Sequence, residues 1–411
     1  MSPPDRRIGA WTAILGLVVF AVVAVLFVPW DPVPGGALTP TPESTVFSAE
    51  EIRRSEDFSR WARVWSWSSL AVSLAVAVWF GFSDRGRALF TRLKGPWWVQ
   101  VMVAVVVVTL AGRLLTLPFA IALRQHVLDY GLSNQSWPAF ALDLAKSEIV
   151  AVVVTSIAVI GVIGCARRWQ RAWPAVAGAL LAGLALAGSF AYPLVIEPIF
   201  NSFTPLPEGE LRSEILALAE DEGVEVDDVL VADASRRTTT LNAYVSGFGS
   251  TRRVVVYDNL VESLPQDQAL SVIAHELAHA RHRDVLVGSV LGAAGALVGV
   301  GLLALGLGVL RRRGHPEMSR AQVVPVVLAL VAVATLASAP IQNGISRQIE
   351  IRADVDALTA TADPAAFVGM QRRLALRSLS DPSPPALSQW WFGSHPTTLE
   401  RIALAMRSAR D

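Results

Sequence analysis

Apolar residues gather into seven runs, each long enough, at about 17–25 residues, to cross a bilayer as a helix. They fall near Trp11–Pro29, Val64–Phe82, Trp97–Ala122, Ile149–Ala166, Trp173–Val195, Val285–Leu310 and Val323–Ala339. The first run is too long for a signal-peptide core, and no clear small-residue cleavage site follows it. Tryptophan pairs at Trp65/Trp67 and Trp97/Trp98 suit interfacial belts. Glycine-rich stretches (Gly178, Gly183, Gly188 and Gly288, Gly292, Gly295) predict close helix packing. Between the first two runs, Thr41–Arg63 is polar and helix-prone, with Ser48 and Glu51 spaced as a capping box.

The long polar stretch is Glu197–Asp284. It opens with a proline-punctuated loop and an acidic amphipathic helix near Glu208–Glu222. Strands are predicted at Val229–Ala232, Leu241–Val245 and Arg253–Tyr257, with Gly247 and Gly249 turning the last two. Such a hairpin offers an edge strand to an extended peptide. Beyond the last apolar run come a helix over Ser346–Asp356, a proline-rich loop at Asp381–Trp391 and a short amphipathic helix after Gly393. The pattern therefore predicts a mainly α, polytopic membrane protein with a small α/β region. We divide it into a membrane domain over 1–196, holding five spans, and a second domain over 197–411.

Composition agrees. Of 411 residues 53% are hydrophobic and 17% charged, and mean hydropathy is +0.45, a membrane protein's profile. The formal net charge is zero, so no nucleic-acid partner is implied; the lipid bilayer is the expected partner. The single cysteine, Cys165, excludes an intrachain disulfide. Arg113 lies inside the third run, and Asp143, Lys146 and Glu148 lie at the mouth of the fourth; such groups face a cavity, one another, or the interface. Basic residues cluster at Arg6 and Arg7 and in the connections Arg85–Lys94, Arg167–Arg171 and Arg311–Arg320, all on one side of a seven-span chain. Cytoplasmic connections are the ones enriched in Lys and Arg, so the expectation is a multi-pass cell-membrane protein with 197–284 outside.

The candidate chemistry lies in Ser271–Asp284, SVIAHELAHARHRD, where His275, Glu276 and His279 form H-E-x-x-H. On a helix, residues i and i+4 lie about 40° apart around the axis and one turn along it, so two imidazoles can reach one zinc ion. Glu276 is turned about 100° from His275 and can face a water there without being a ligand. A catalytic zinc needs a third protein ligand and an open fourth position. His282 is two turns from His275 in a straight helix, and Asp284 points to the opposite face, so the third ligand comes from elsewhere. Glu350 and Asp354 share a helix face at i, i+4: one can bind zinc while the other holds a ligand histidine, or both can be salt-bridged surface charges beside Arg347 and Arg352. His395, before Pro396 at a helix start, and Arg401 have plain surface readings as well.

The ordered phrases FSAEEIRRSEDFSRWA (Phe47–Ala62), EPIFNSFTPLPEGELR (Glu197–Arg212), LNAYVSGFGSTRRVVVYDNLV (Leu241–Val261), HELAH, the ExxAD of Glu350–Asp354 and SHPTTLERI (Ser394–Ile402) resemble the type I CAAX prenyl proteases. That resemblance implies a seven-helix barrel around a water-filled chamber, closed at one end by a zincin-like H-E-x-x-H region. It implies one Zn2+ per chain held by His275, His279 and Glu350, with Glu276 as general base and Asp354 supporting a ligand. It places His395, Asn242 and Arg401 against the substrate or the tetrahedral intermediate, His395 stabilising the oxyanion. The implied activity is zinc-dependent endopeptidase cleavage of a peptide or protein substrate, lipidated or not, as in C-terminal processing of prenylated proteins. It also implies a cytosolic zinc face in eukaryotic relatives, against the charge pattern here. Turnover of membrane proteins, or a non-enzymatic metal-binding seven-span receptor or transporter, are the competing readings.

Overall fold

The computed structural model describes residues 3–410 apart from 248, 250, 251 and 313, and the tip of the predicted hairpin lies among those four. Among the described residues, seven helices are long and apolar enough to cross a membrane. They include α1 (Pro3–Phe27), α2 (Ala49–Phe82) and, after the short α3 (Asp84–Thr91), α4 (Trp97–Asp129), α5 (Trp137–Arg168) and α6 (Trp173–Ala191). A π-helical turn over Tyr192–Ile196 carries α6 into α7 (Glu197–Phe200). The remaining spans are α11 (Asp284–Arg311) and α12 (Val324–Thr361).

Several spans run well past their apolar runs at one end. Helix α2 begins with the polar Ala49–Arg63 segment, capped by Ser48 and Glu51 in the reciprocal arrangement the sequence predicts. Helix α12 continues from the seventh span through Pro340 to Thr361, so the Glu350 helix is not a separate element but its extension. These polar extensions carry membrane helices into the end of the molecule that holds the H-E-x-x-H segment. Arg63 of α2 bonds Asp381 at 2.8 Å, and Arg372 bonds Glu51 at 2.7 Å. The charges at the spans pair with one another: Arg113 Nε meets Glu148 Oε2 at 2.8 Å between α4 and α5, and Lys146 donates to the Ile199 carbonyl.

Between α7 and α11 lie β1 (Phe203–Pro205), α8 (Glu210–Asp221), β2 (Asp228–Ala232), β3 (Ala243–Ser246), β4 (Arg253–Tyr257), α9 (Asp258–Ser263) and α10 (Gln266–Arg281). The sheet order is β1-β2-β4-β3, with β2 and β4 parallel and the other pairs antiparallel, which leaves β3 at an edge. The strand β1 is one the sequence pattern does not mark. Helices α13 (Pro364–Ser378), α14 (Ala386–Phe392) and α15 (Thr398–Ser408) complete this α/β region. Its core joins Val229, Val254 and Val256 of the sheet to Ile273 and Leu277 of α10 and Phe367 and Met370 of α13. Ile273 and Leu277, at i and i+4, bury one face of α10 completely and so aim the opposite face, with the histidines, away from the sheet.

Packing runs from α11 to α6, α5, α4, α2 and α12 and closes weakly back on α11, with α1 laid along α11 and α6. The helices and the α/β region line a half-open cavity of about 1650 Å3. Here one expectation holds only in part. A Cβ built at Gly288, Gly292 or Gly295 would meet nothing within 4 Å, and these positions line the cavity rather than a helix interface. Gly183 and Gly188 also have no close neighbour. Of the six, Gly178 packs closely, a Cβ there coming within 2.9 Å of Leu297 and 3.2 Å of Thr12; otherwise close packing falls on glycines outside the set: a Cβ at Gly301 would come within 2.6 Å of the Ala13 nitrogen and Gly9 oxygen, and one at Gly16 within 2.8 Å of the Ala294 oxygen. A small-residue stripe can face a partner helix or open space, and spacing does not distinguish them.

Candidate metal centre

Helix α10 presents His275 and His279 on one face, with their Nε2 atoms 3.2 Å apart. Glu350, on the extension of α12, approaches both: Oε2 is 3.3 Å from His275 Nε2, and Oε1 is 3.6 Å from His279 Nε2. Tetrahedral coordination at about 2.0–2.1 Å puts ligand atoms about 3.3 Å apart, so the three groups fit one zinc-sized ion. Two further observations agree. Glu350 Oε2 is buried without a hydrogen bond, an arrangement that is costly unless a cation completes it. Both imidazoles also have their Nδ1 engaged, His275 by Asp354 at 2.9 Å and His279 by Asp284 at 2.9 Å. Carboxylates on Nδ1 leave the Nε2 lone pairs converging on one point, the arrangement that metal-bound histidines use.

Electrostatics point the same way. Burial works to lower the pKa of His275, yet Asp354 and Glu350 overcome it and push the pKa up, so the pocket attracts positive charge. Asp354 is fully buried and accepts from Arg401 Nε at 2.8 Å, with a second bond from Nη2 to its other oxygen. Arg401 is therefore not the surface charge its sequence context allows: it closes a chain Arg401–Asp354–His275. Burial disfavours its charge, but Asp354 outweighs that and raises its pKa.

Glu276 lines the cavity, and burial raises its pKa above the ordinary carboxylate value. His395 stands across the site, Nε2 3.4 Å from Glu350 Oε2 and Nδ1 2.9 Å from Ser394 Oγ. Asn242 lines the same cavity just before β3, and its carbonyl accepts from the Tyr257 amide at 3.0 Å. Asn242, His275, Glu276, His279, Glu350 and His395 thus line one cavity, with Asp354 and Arg401 stacked behind His275.

Asp284 corrects the sequence reading. In a straight helix it faces away from His275, but α10 ends at Arg281 and Arg283 adopts a left-handed conformation (φ 56°), so Asp284 opens a new helix turned back onto His279. Arg352 grips its other oxygen. No glycine or proline marks this break, so nothing local announces it. His282 instead bonds Asp356 at 2.7 Å, tying α10 to α12 outside the site.

Comparison with known proteins fits this geometry. The profile described as peptidase family M48 matches residues 205–408, and that of the CAAX prenyl protease N-terminal region, five membrane helices, matches 39–202. The "Uncharacterized metalloprotease YhfN" of Bacillus subtilis is 31% identical over 309 residues, 74% of this chain and 72% of that one. The chain belongs to peptidase family M48. CAAX prenyl protease 1 of Saccharomyces cerevisiae is 43% identical over 88 residues, 21% of this chain and 19% of that one. The crystal structure of S. mikatae Ste24p superposes with a TM-score of 0.75 at 20% identity, covering 98% of this chain and 99% of that one, which shows a shared fold. The protein is therefore a multi-pass membrane metallopeptidase, a metal-dependent hydrolase that acts on peptide bonds, and the receptor or transporter reading is not favoured.

Proposed function

We propose that the metal is one zinc ion per chain, held by His275, His279 and Glu350, and that Glu276 is the general base of an endopeptidase. The observation that carries this is the convergence of two Nε2 atoms and a buried, unbonded carboxylate oxygen, with both Nδ1 atoms engaged by carboxylates. When bound, zinc supplies Lewis acidity, making water acidic enough to ionise near neutral pH and polarising a carbonyl. Glu276 takes the proton of the attacking water and later gives it to the leaving amine. A raised pKa suits that shuttle, because the group must both accept and release the proton. His395, lying beyond Glu350, donates to the developing oxyanion. Asp354 and Asp284 fix the imidazoles, and Arg401 fixes Asp354. Asn242 and the unpaired edge of β3 align the substrate as an added strand.

For substrate, we infer C-terminal processing of proteins or peptides carrying an apolar lipid, as the name of the yeast relative suggests. In support, the half of the cavity away from the histidines is apolar, with Val159, Leu181, Val298 and Leu303 beside the glycine stripe of α11. A lipid tail fits there while the peptide lies at the polar end. We treat 1–196 and 197–411 as two domains sharing one chamber. We place the protein in the cell membrane with the catalytic end outside, because the basic connections all lie at the opposite end. Cysteine-accessibility mapping of 197–284 tests the orientation; labelling only after permeabilisation overturns it.

The ligand set is tested by zinc content of the detergent-purified protein beside His275→Ala and Glu350→Gln. About one zinc per chain in the wild type and substoichiometric zinc in both variants is expected. Equal zinc in all three refutes the assignment.

A further inference from the structure

Arg283 sits at the break between α10 and α11 with φ 56° and ψ 39°, a region that glycine enters freely and other residues enter at a cost. Its side chain is exposed, lines the cavity with His279, Asn242 and Tyr244, and makes no hydrogen bond or ion pair with any described residue. Neighbouring arginines are engaged. Arg401 holds Asp354, Arg352 holds Asp284, Arg347 holds the Gln389 and Gly393 carbonyls, and Arg252 donates to the Glu225 carbonyl. An unpaired guanidinium on this wall, four residues beyond a proposed metal ligand, is placed to meet an anion brought in from outside the chain.

The architecture narrows which anion. A cavity walled by membrane helices admits a polypeptide end-first, and an end carries either an ammonium or a carboxylate. A guanidinium pairs with the carboxylate through two parallel hydrogen bonds and repels the ammonium. Asp284, the next residue after Arg283, bonds His279 Nδ1 at 2.9 Å across the break, which keeps Arg283 beside the proposed metal ligand, and an extended peptide advances about 3.3 Å per residue. With the reach of its own side chain, the guanidinium lies only a few substrate residues from the metal centre. We propose that Arg283 binds the C-terminal carboxylate of the substrate and thereby sets the cleaved bond a few residues from the chain end. This rests on the peptidase assignment above and adds to it the group that selects a carboxyl terminus.

The test uses the full-length zinc-loaded protein and two farnesyl-cysteine peptides of identical sequence, one ending in a free carboxylate and one in a carboxamide. The wild type is expected to prefer the free acid in kcat/KM by about 10- to 100-fold, the range of a lost charge-assisted pair. In Arg283→Gln and Arg283→Gly that ratio falls to about one, and Arg283→Lys restores part of it; the glycine variant removes the backbone cost, so a loss there is not a folding defect. If Arg283 only anchors a phospholipid headgroup or the helix junction, both peptides slow together and the ratio stays, which overturns the proposal. A wild type that cleaves both peptides equally overturns it while leaving the peptidase reading intact; one that cleaves neither overturns both.

Discussion

Replacing Asp284 by Asn tests how the site is built at the residue the sequence pattern turns the wrong way. The substitution keeps the side-chain volume and an acceptor for Arg352, but it removes the negative charge 2.9 Å from His279 Nδ1. That carboxylate holds the imidazole in the tautomer that points its Nε2 lone pair at the metal, and it makes the ring a stronger donor. Loss of such a partner costs about 10- to 100-fold in metal affinity, or about 1.4–2.7 kcal/mol. Asp354 is a less clean target: it is fully buried against Arg401, and removing it leaves a buried unpaired guanidinium, a destabilisation of about 3–5 kcal/mol that would hide the effect on metal. Zinc affinity of wild type and Asp284→Asn, measured by competition with a fluorescent chelator in detergent, should differ by one to two decades, as about 10- to 100-fold implies. Thermal unfolding of the metal-free forms should change little. Affinities within twofold of each other, at about equal stability, would mean that Asp284 does not tune His279, and the argument from Nδ1 partners would fail.

Other outcomes follow from the same geometry. Gly301→Ala places a Cβ within 2.6 Å of the backbone of α1 and should destabilise the protein by about 1–3 kcal/mol, whereas Gly295→Ala meets nothing within 4 Å and should leave the melting temperature unchanged; equal effects would contradict the packing described for α11. Gly295→Phe fills the apolar half of the cavity and should slow cleavage of a lipidated peptide far more than of its unlipidated twin, read as separate kcat/KM values; parallel losses remove the lipid from that half. Glu276 must be ionised to accept a proton, and burial raises its pKa above the ordinary 4.5, so kcat/KM should fall as pH drops through a value above 4.5. A pH–rate profile that stays flat to below that value removes Glu276 from the base role.

What could be read from the sequence divides along physical lines. The spans and the H-E-x-x-H pair are legible because each is a local pattern: twenty apolar residues in a row, or two histidines one turn apart, carry their meaning without the rest of the chain. The strands at 228–232 and 253–257 are legible for the same reason. Glu350 and Asp354 are only half legible, since i, i+4 spacing shows that they share a face but not what that face meets. Arg401 and His395 become more than surface residues only when α15 folds against α12. Asp284 is misread because the chain turns left-handed at Arg283 between α10 and α11, and no glycine betrays the turn. The glycines of α11 are misread because spacing cannot tell a partner helix from a cavity.

The central claim is tested most directly by stripping the detergent-purified protein with a chelator and titrating zinc back while following cleavage of a quenched-fluorescent prenylated peptide, wild type beside Glu276→Gln. Activity should disappear on stripping and return in the wild type at about one equivalent of zinc, while Glu276→Gln takes up the same zinc and stays inactive. Full activity in the stripped wild type, or recovery in Glu276→Gln, would contradict the account.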